Sequence, residues 1–188
     1  VPHTFTATLS AAVQGGFTVA YTTNDGTAIA PGDYTDNDGT LTFTGTAGET
    51  KTIMVQANGD ITVELNESFT ENLGAIGATT AIQAAAITKV GTPQTATIVN
   101  DDAATVSLAA NVSQAENLTP QVFTVNLSNP VDVPVTVLFN TSDGTATTAD
   151  NDYNGIAGQT VTFAAGSTTA QTVNVTINND SKVEADEV

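Results

Sequence analysis

The chain of 188 residues has no cysteine, no tryptophan and a single histidine, His3. Without cysteine there is no thiolate nucleophile, and one imidazole near a terminus leaves almost no candidates for a zinc site or a Ser-His-Asp triad. Paired carboxylates can hydrolyse glycosides, but a chain without tryptophan gives no sign of a cleft with aromatic sugar platforms. We therefore expect a protein that is not an enzyme.

Basic residues are almost as scarce. Three lysines and no arginine stand against 20 acidic residues, which gives a formal charge of −17. This charge repels nucleic-acid phosphates and anionic membranes and attracts cations. No stretch approaches the ~18 apolar residues of a membrane helix. We expect no nucleic-acid partner and no membrane insertion, and we expect counter-cations near the carboxylates.

The residues that are abundant favour β structure. Hydrophobic residues make up 40% of the chain and charged residues 12%, so a packed core is expected rather than an acidic disordered tail. Apolar and polar residues alternate with period two, and no segment shows a helical period. This pattern predicts an all-β fold of antiparallel, immunoglobulin-like β-sandwiches. The alternating stretches are residues 5–9, 17–21, 41–43, 53–55, 123–127, 135–139, 161–163 and 173–177.

Two further local predictions follow from turn residues. The Asp-Gly pairs at residues 25–26 and 143–144 each predict a strand end at a residue that tolerates positive φ. Residues 71–93 contain three glycines and an alanine run, and predict a long loop in which residues 82–87 pair as a strand.

A set of short motifs occurs twice in the same order. Asp-Gly-Thr-Ala at residues 25–28 returns 118 residues later, and Asp33-Tyr34 returns 119 residues later as Asp152-Tyr153. Glu64 and Glu67 have acidic counterparts 120 residues on. We predict two domains, residues 1–102 and 103–188. By comparison of the copies, the first is expected to lack its first strand and the second its last strands.

The ordered motifs resemble those of the Calx-beta domain family. They comprise Asp-Gly-Thr-Ala, Asp-Tyr, a Gly-Thr-x-x-Phe strand, an acidic stretch followed by Glu-x-x-Glu, and closing aspartates at residues 101–102. The resemblance covers nearly the whole chain. It implies a seven-stranded sandwich that binds calcium (Ca2+) at one end.

The resemblance also implies a set of calcium ligands. In the first repeat they are Asp33, Asp60, Glu64, Glu67, Asp101 and Asp102, and in the second Glu116, Asp152, Asp180, Glu184 and Glu187. Where the best-binding family members have three consecutive aspartates, this chain has Asn-Gly-Asp at 58–60 and Asn-Asn-Asp at 178–180. Fewer carboxylates imply one weak site or none, with the first repeat the better candidate.

The expected function is that of a structural or adhesive repeat segment of an extracellular protein, at the cell surface or secreted, stiffened by calcium at the sandwich ends. Its expected partners are neighbouring repeats or identical subunits. One alternative is a filament subunit assembled by strand complementation between incomplete sandwiches. Another is a module that binds a surface glycan or protein. A calcium sensor would need more complete acidic sites.

Overall fold

The computed structural model describes residues 2–78, 80–183 and 185–188. This part of the chain is almost entirely β structure, which confirms the predicted fold class. The strands are β1 (Pro2–Thr8), β2 (Phe17–Asp25), β3 (Gly39–Phe43), β4 (Thr50–Gln56), β5 (Glu67–Ala78), β6 (Gln94–Ile98), β7 (Val106–Leu108), β8 (Gln121–Leu127), β9 (Val135–Phe139), β10 (Gln159–Phe163) and β11 (Gln171–Val175), with helix α1 (Ala81–Ala86) between β5 and β6.

The first compact unit comprises Val1–Asp60 and Leu65–Asn100. It contains an antiparallel sheet in the order β3-β2-β5-β6 and an antiparallel pair of β1 and β4. Alternate side chains of all these strands meet in one core. Phe69 of β5 is fully buried there and meets Phe5 of β1 edge-on, with ring centroids 6.2 Å apart. The shared core makes the two sheets a sandwich.

The second unit comprises Ile61–Glu64 and Asp101–Val188. Its sheets have the orders β11-β8-β7 and β10-β9, again antiparallel. Phe163 and Val173 are fully buried, and the rings of Phe123 and Phe139 lie 5.6 Å apart between the sheets. The chain thus folds as two units, while the limits 1–102 and 103–188 stay a prediction.

Helix α1 corrects the prediction for the stretch before β6. Strand β5 continues to Ala78, and residues 82–87 are mostly helical instead of forming a strand. The hydroxyl of Thr80 accepts a hydrogen bond from the backbone N–H of Gln83 at 3.2 Å, which caps the helix. Alanine has the highest helix propensity, so the alanine run forms a helical turn once capped. No helix in the described part of the chain has the length and apolar character needed to cross a membrane.

Strand β5 carries a charged residue at an inward position. Alternation places Glu71 between Phe69 and Leu73 on the core face. Glu71 is 4% exposed, and neither of its carboxylate oxygens has a hydrogen-bond partner. Burial, followed by the negative charges of Asp38 and Asp36, raises the pKa of Glu71 to about 7.

The raised pKa of Glu71 predicts a loss of stability with increasing pH. The folded state holds this proton up to about pH 7, whereas the unfolded chain releases it near pH 4.5. Ionisation of Glu71 should therefore lower the free energy of unfolding of the first unit as pH rises from 4.5 through 7, by about 3 kcal/mol in total. Urea unfolding at pH 5 and pH 8, with a chelator present, measures this difference. Glu71→Gln should remove most of it, and an unchanged pH dependence in that variant would contradict the prediction.

Candidate metal centre

Two carboxylates of the first unit meet at one place. One oxygen of Asp33 lies within 4.8 Å of one oxygen of Glu67, and both side chains are half-buried. Calcium binds oxygen at ~2.3–2.6 Å, so two ligands of one ion can lie about 5 Å apart. A single calcium ion can therefore contact both residues. The third predicted ligand, Glu64, is also half-buried and belongs to the segment Ile61–Glu64 of the second unit.

The Asp-Gly-Thr-Ala motif holds the start of β5, and with it Glu67. The backbone N–H of Ser68 donates to the hydroxyl of Thr27 at 2.8 Å, and the N–H of Ala28 donates to the carbonyl of Ser68 at 3.0 Å. We call these two hydrogen bonds the Ser68 clamp. Ser68 directly follows Glu67, so the clamp sets where the Glu67 side chain leaves the backbone.

The glycine of the motif is not needed for its tolerance of positive φ. Neither Gly26 nor Gly144 has a positive φ. A Cβ atom on Gly26 would lie 2.3 Å from the carbonyl oxygen of Ser68, and one on Gly144 would lie 2.1 Å from that of Val188. The glycine is therefore required by the close approach of two backbone segments.

Asp33 is fixed by its own turn. Its Oδ2 accepts from the N–H of Ile29 at 2.6 Å, and its N–H donates to the carbonyl of Ile29 at 3.0 Å. Its carbonyl accepts from the N–H of Asn58 at 2.9 Å. Because Ile29 directly follows Ala28, the segment that clamps Ser68 also positions the Asp33 carboxylate.

Tyr34 and Asp25 also hold the loop that carries Asp33. Tyr34 is 1% exposed and stacks on Phe69, with centroids 4.4 Å apart. Its hydroxyl donates to Asp25 Oδ1 at 2.7 Å, and the N–H of Ala30 donates to the same oxygen at 2.9 Å. The hydrogen bonds from Ala30 and then Tyr34 hold the pKa of Asp25 below its usual value. Burial, followed by the hydrogen bond to Asp25, raises the pKa of Tyr34.

Three further predicted ligands of the first repeat lie apart from Asp33 and Glu67. Asp60 and Asp101 are exposed, and Asp102 is half-buried. None of them belongs to the set of oxygens within 4.8 Å of one another. Their participation in the site stays a prediction.

The second repeat has the same scaffold. The N–H of Thr147 donates to Asp152 Oδ2 at 2.7 Å, as Ile29 does to Asp33. The hydroxyl of Tyr153 donates to Asp143 Oδ1 at 2.6 Å, and this bond, followed by one from the N–H of Thr148, lowers the pKa of Asp143. The repeated motifs therefore produce the same local supports twice.

The second clamp uses Val188 in the place of Ser68. The N–H of Val188 donates to the hydroxyl of Thr145 at 2.7 Å, and the N–H of Ala146 donates to the carbonyl of Val188 at 3.1 Å. Glu187 therefore stands next to this clamp, as Glu67 stands next to Ser68.

The acidic residues of the second repeat are arranged differently. The Nζ of Lys182 lies 3.5 Å from Asp180 Oδ2. The backbone N–H of Lys182 donates to Asp180 Oδ1 at 2.7 Å. Lysine thus supplies a positive charge where calcium was expected to do so. Glu116 is half-buried in the loop between β7 and β8, and Glu187 is exposed. Glu184 lies outside the described residues, and in the described part of this repeat no group of three carboxylates forms.

Several residues that build the site could not be selected from the ligand pattern alone. Thr27, Ser68 and Asp25 hold the site residues in place without being predicted to bind an ion. The recurrence of Asp-Gly-Thr-Ala and Asp-Tyr at nearly equal offsets marks Thr27 and Asp25 as a structural set, whereas Ser68 lies outside both motifs. Glu71 could have been found as a charge at an inward position of a period-two strand.

One comparison with known proteins identifies a family. The profile of the Calx-beta domain matches residues 4–104 and 99–188. Among curated proteins, no sequence matches the chain.

The chain is also similar to solved structures. Those of calcium binding domain CBD12 of CALX1.1 and of CBD12 from CALX1.2 are each 20% identical to it, with a TM-score of 0.47. These matches cover 92% and 94% of this chain and 67% and 69% of theirs. The apo-form Calx CBD1 domain is 22% identical, with a TM-score of 0.43, and the match covers 54% of this chain and 83% of that one.

Two tandem profile matches, which together cover residues 4–188, agree with the recurrence of the motifs. The chain belongs to the Calx-beta domain family.

Proposed function

We propose that the chain is a structural repeat segment of an extracellular protein, at the cell surface or secreted, and that calcium stiffens it. The observation that carries the proposal is the approach of Asp33 and Glu67 to within 4.8 Å. Low lysine, absent arginine and many threonines support the extracellular location.

The donor atoms favour calcium over other metals. Both side chains offer carboxylate oxygen, and neither histidine nor cysteine takes part. Oxygen ligands suit hard cations, and the flexible coordination of calcium tolerates a site completed by water or carbonyls. Two negative charges balance one such ion but not a closely spaced pair, so we infer a single ion in the first repeat.

Calcium bound there would join two parts of the first unit. Asp33 belongs to the loop after β2, and Glu67 begins β5. Without a cation these two carboxylates repel each other. Binding replaces this repulsion with attraction and favours the folded state by mass action. The result is a less mobile sandwich end, which suits a rigid spacer.

A catalytic or glycan-binding role finds less support. The one histidine packs edge-on against Phe69, with ring centroids 5.4 Å apart. All seven phenylalanines and three tyrosines are buried or half-buried, so no fully exposed aromatic ring offers a stacking surface for a sugar. We infer that the chain is not an enzyme and that its partners are neighbouring repeats.

Calcium titration tests this proposal. At free calcium a hundred times the Kd, binding should stabilise the first unit by about 2.7 kcal/mol. For a unit of roughly 100 residues this raises the melting temperature by on the order of 10 °C relative to the same protein in chelator. Glu67→Gln removes one of the two carboxylates and should weaken calcium binding at least tenfold in isothermal titration calorimetry.

Asp132→Asn serves as the matched control, because it also removes one negative charge but from an exposed position in the second unit. It should leave calcium affinity unchanged. Absence of binding heat and of any melting shift in the unaltered protein would reduce the proposal to a plain structural repeat.

A second candidate function rests on unpaired strand edges. Among the described residues β1 pairs only with β4, whereas its counterpart β8 pairs with both β7 and β11. Likewise β9 pairs only with β10, whereas its counterpart β2 pairs with both β3 and β5. An exposed edge is a template for another strand. Subunits could therefore associate in a filament by strand complementation.

Size-exclusion chromatography with light scattering distinguishes the two candidates. Strand complementation predicts oligomers whose mass increases with protein concentration above the 19.0 kDa of one chain. The spacer function predicts a monodisperse monomer over the same range, and that result would exclude self-assembly of this chain.

A further inference from the structure

The carboxylate of Glu71 lies apart from the calcium ligands proposed above, Asp33 and Glu67. It is 4% exposed, and neither oxygen has a hydrogen-bond partner. An ionised carboxylate in such a place is strongly unfavourable unless something neutralises it. Glu71 also lines a crevice of about 870 Å³ within the first unit, which gives space beside the side chain.

A single residue next to Glu71 binds two further carboxylates. Thr23 of β2 is the cross-strand partner of Glu71. The N–H of Thr23 donates to Asp38 Oδ1 at 2.9 Å, and its hydroxyl donates to Asp36 Oδ1. The N–H of Asn37 donates to the Thr23 hydroxyl at 3.0 Å, which fixes the segment between the two aspartates.

The charges of Asp36 and Asp38 reach Glu71. Both add to the rise in its pKa that burial causes. Each aspartate uses Oδ1 to bind Thr23, so Oδ2 of each can turn toward a cation. Both are exposed on the segment that precedes β3, where side-chain rotation has little steric cost.

No lysine in the described part of the first unit neutralises this group. The Nζ of Lys51 lies 3.1 Å from Glu49, and the Nζ of Lys89 donates to the carbonyls of Leu73 and Gly74. Neither forms a hydrogen bond with Glu71. The neutralising charge must therefore come from solution, as a proton or as a metal cation.

We propose that Glu71, Asp36 and Asp38 form a second cation site, with Thr23 as the positioning residue that gathers the aspartates. The donors are all oxygens, which selects a hard cation, and three carboxylates match the charge that calcium requires. The ion would draw the two exposed aspartates toward the buried glutamate. This site shares no residue with the group at Asp33 and does not depend on the function proposed above.

The test is calcium titration of the full 188-residue chain by isothermal titration calorimetry at pH 8, where Glu71 is ionised. The unaltered protein should bind one ion at each site. Glu71→Gln keeps the side-chain shape but removes the charge, and it should abolish one binding event or weaken it at least tenfold. Glu67→Gln should affect only the other event, and Asp132→Asn should affect neither.

A second variant keeps the proposal testable if Glu71→Gln alters folding. The double change Asp36→Asn and Asp38→Asn lies on the surface, and it should weaken the same event at least tenfold. At pH 5 that event should disappear, because a proton then occupies Glu71. Parallel titrations with Mg2+ and Na+ establish which hard cation the site prefers.

The outcomes separate this proposal from the first. Loss of one event in Glu71→Gln supports it even if Glu67→Gln has no effect. If Glu71→Gln and the double variant bind calcium, Mg2+ and Na+ with the number and affinity of the unaltered protein, the proposal is overturned. Glu71 is then neutralised by a proton alone.

Discussion

The close contact between the Asp-Gly-Thr-Ala segment and Ser68 determines the geometry of the candidate site. Two backbone segments approach so closely at Gly26 that no side chain fits there. The Ser68 clamp then fixes Glu67 from one side, and the next residues of the same segment fix Asp33 from the other. A motif without a metal ligand of its own thus sets the distance between two carboxylates. The same contact recurs at Gly144 and Val188.

Electrostatic repulsion is the cost of this architecture. Twenty acidic residues stand against three lysines, so lysine alone cannot neutralise the carboxylates. The structure relieves this cost in different ways. Asp25 and Asp143 accept hydrogen bonds from tyrosine and backbone groups, and Asp180 pairs with Lys182. Carboxylates stay crowded at Asp33 and around Glu71. Binding of a dissolved cation at these two places stabilises the folded state most.

Much of the fold was predictable because its signals are local. Period-two alternation located the core strands, and Phe17, Val55, Phe163 and Val173 are buried as it predicts. The motif repeat predicted two copies. Helix α1 was missed because one capped turn of alanines is too short to show a period. The role of Gly26 and the isolation of Glu71 depend on contacts between segments about 40 to 50 residues apart, which no local pattern reports.

The central claim is that the close backbone approach at Gly26 positions the calcium ligands. The most direct measurement is the calcium affinity of Gly26→Ala, which retains Asp33, Glu64 and Glu67. Gly59→Ala is the matched control, because its Cβ would meet nothing within 4 Å. We expect at least a tenfold loss of affinity in Gly26→Ala and none in Gly59→Ala. Unchanged affinity in a folded Gly26→Ala protein would contradict the account.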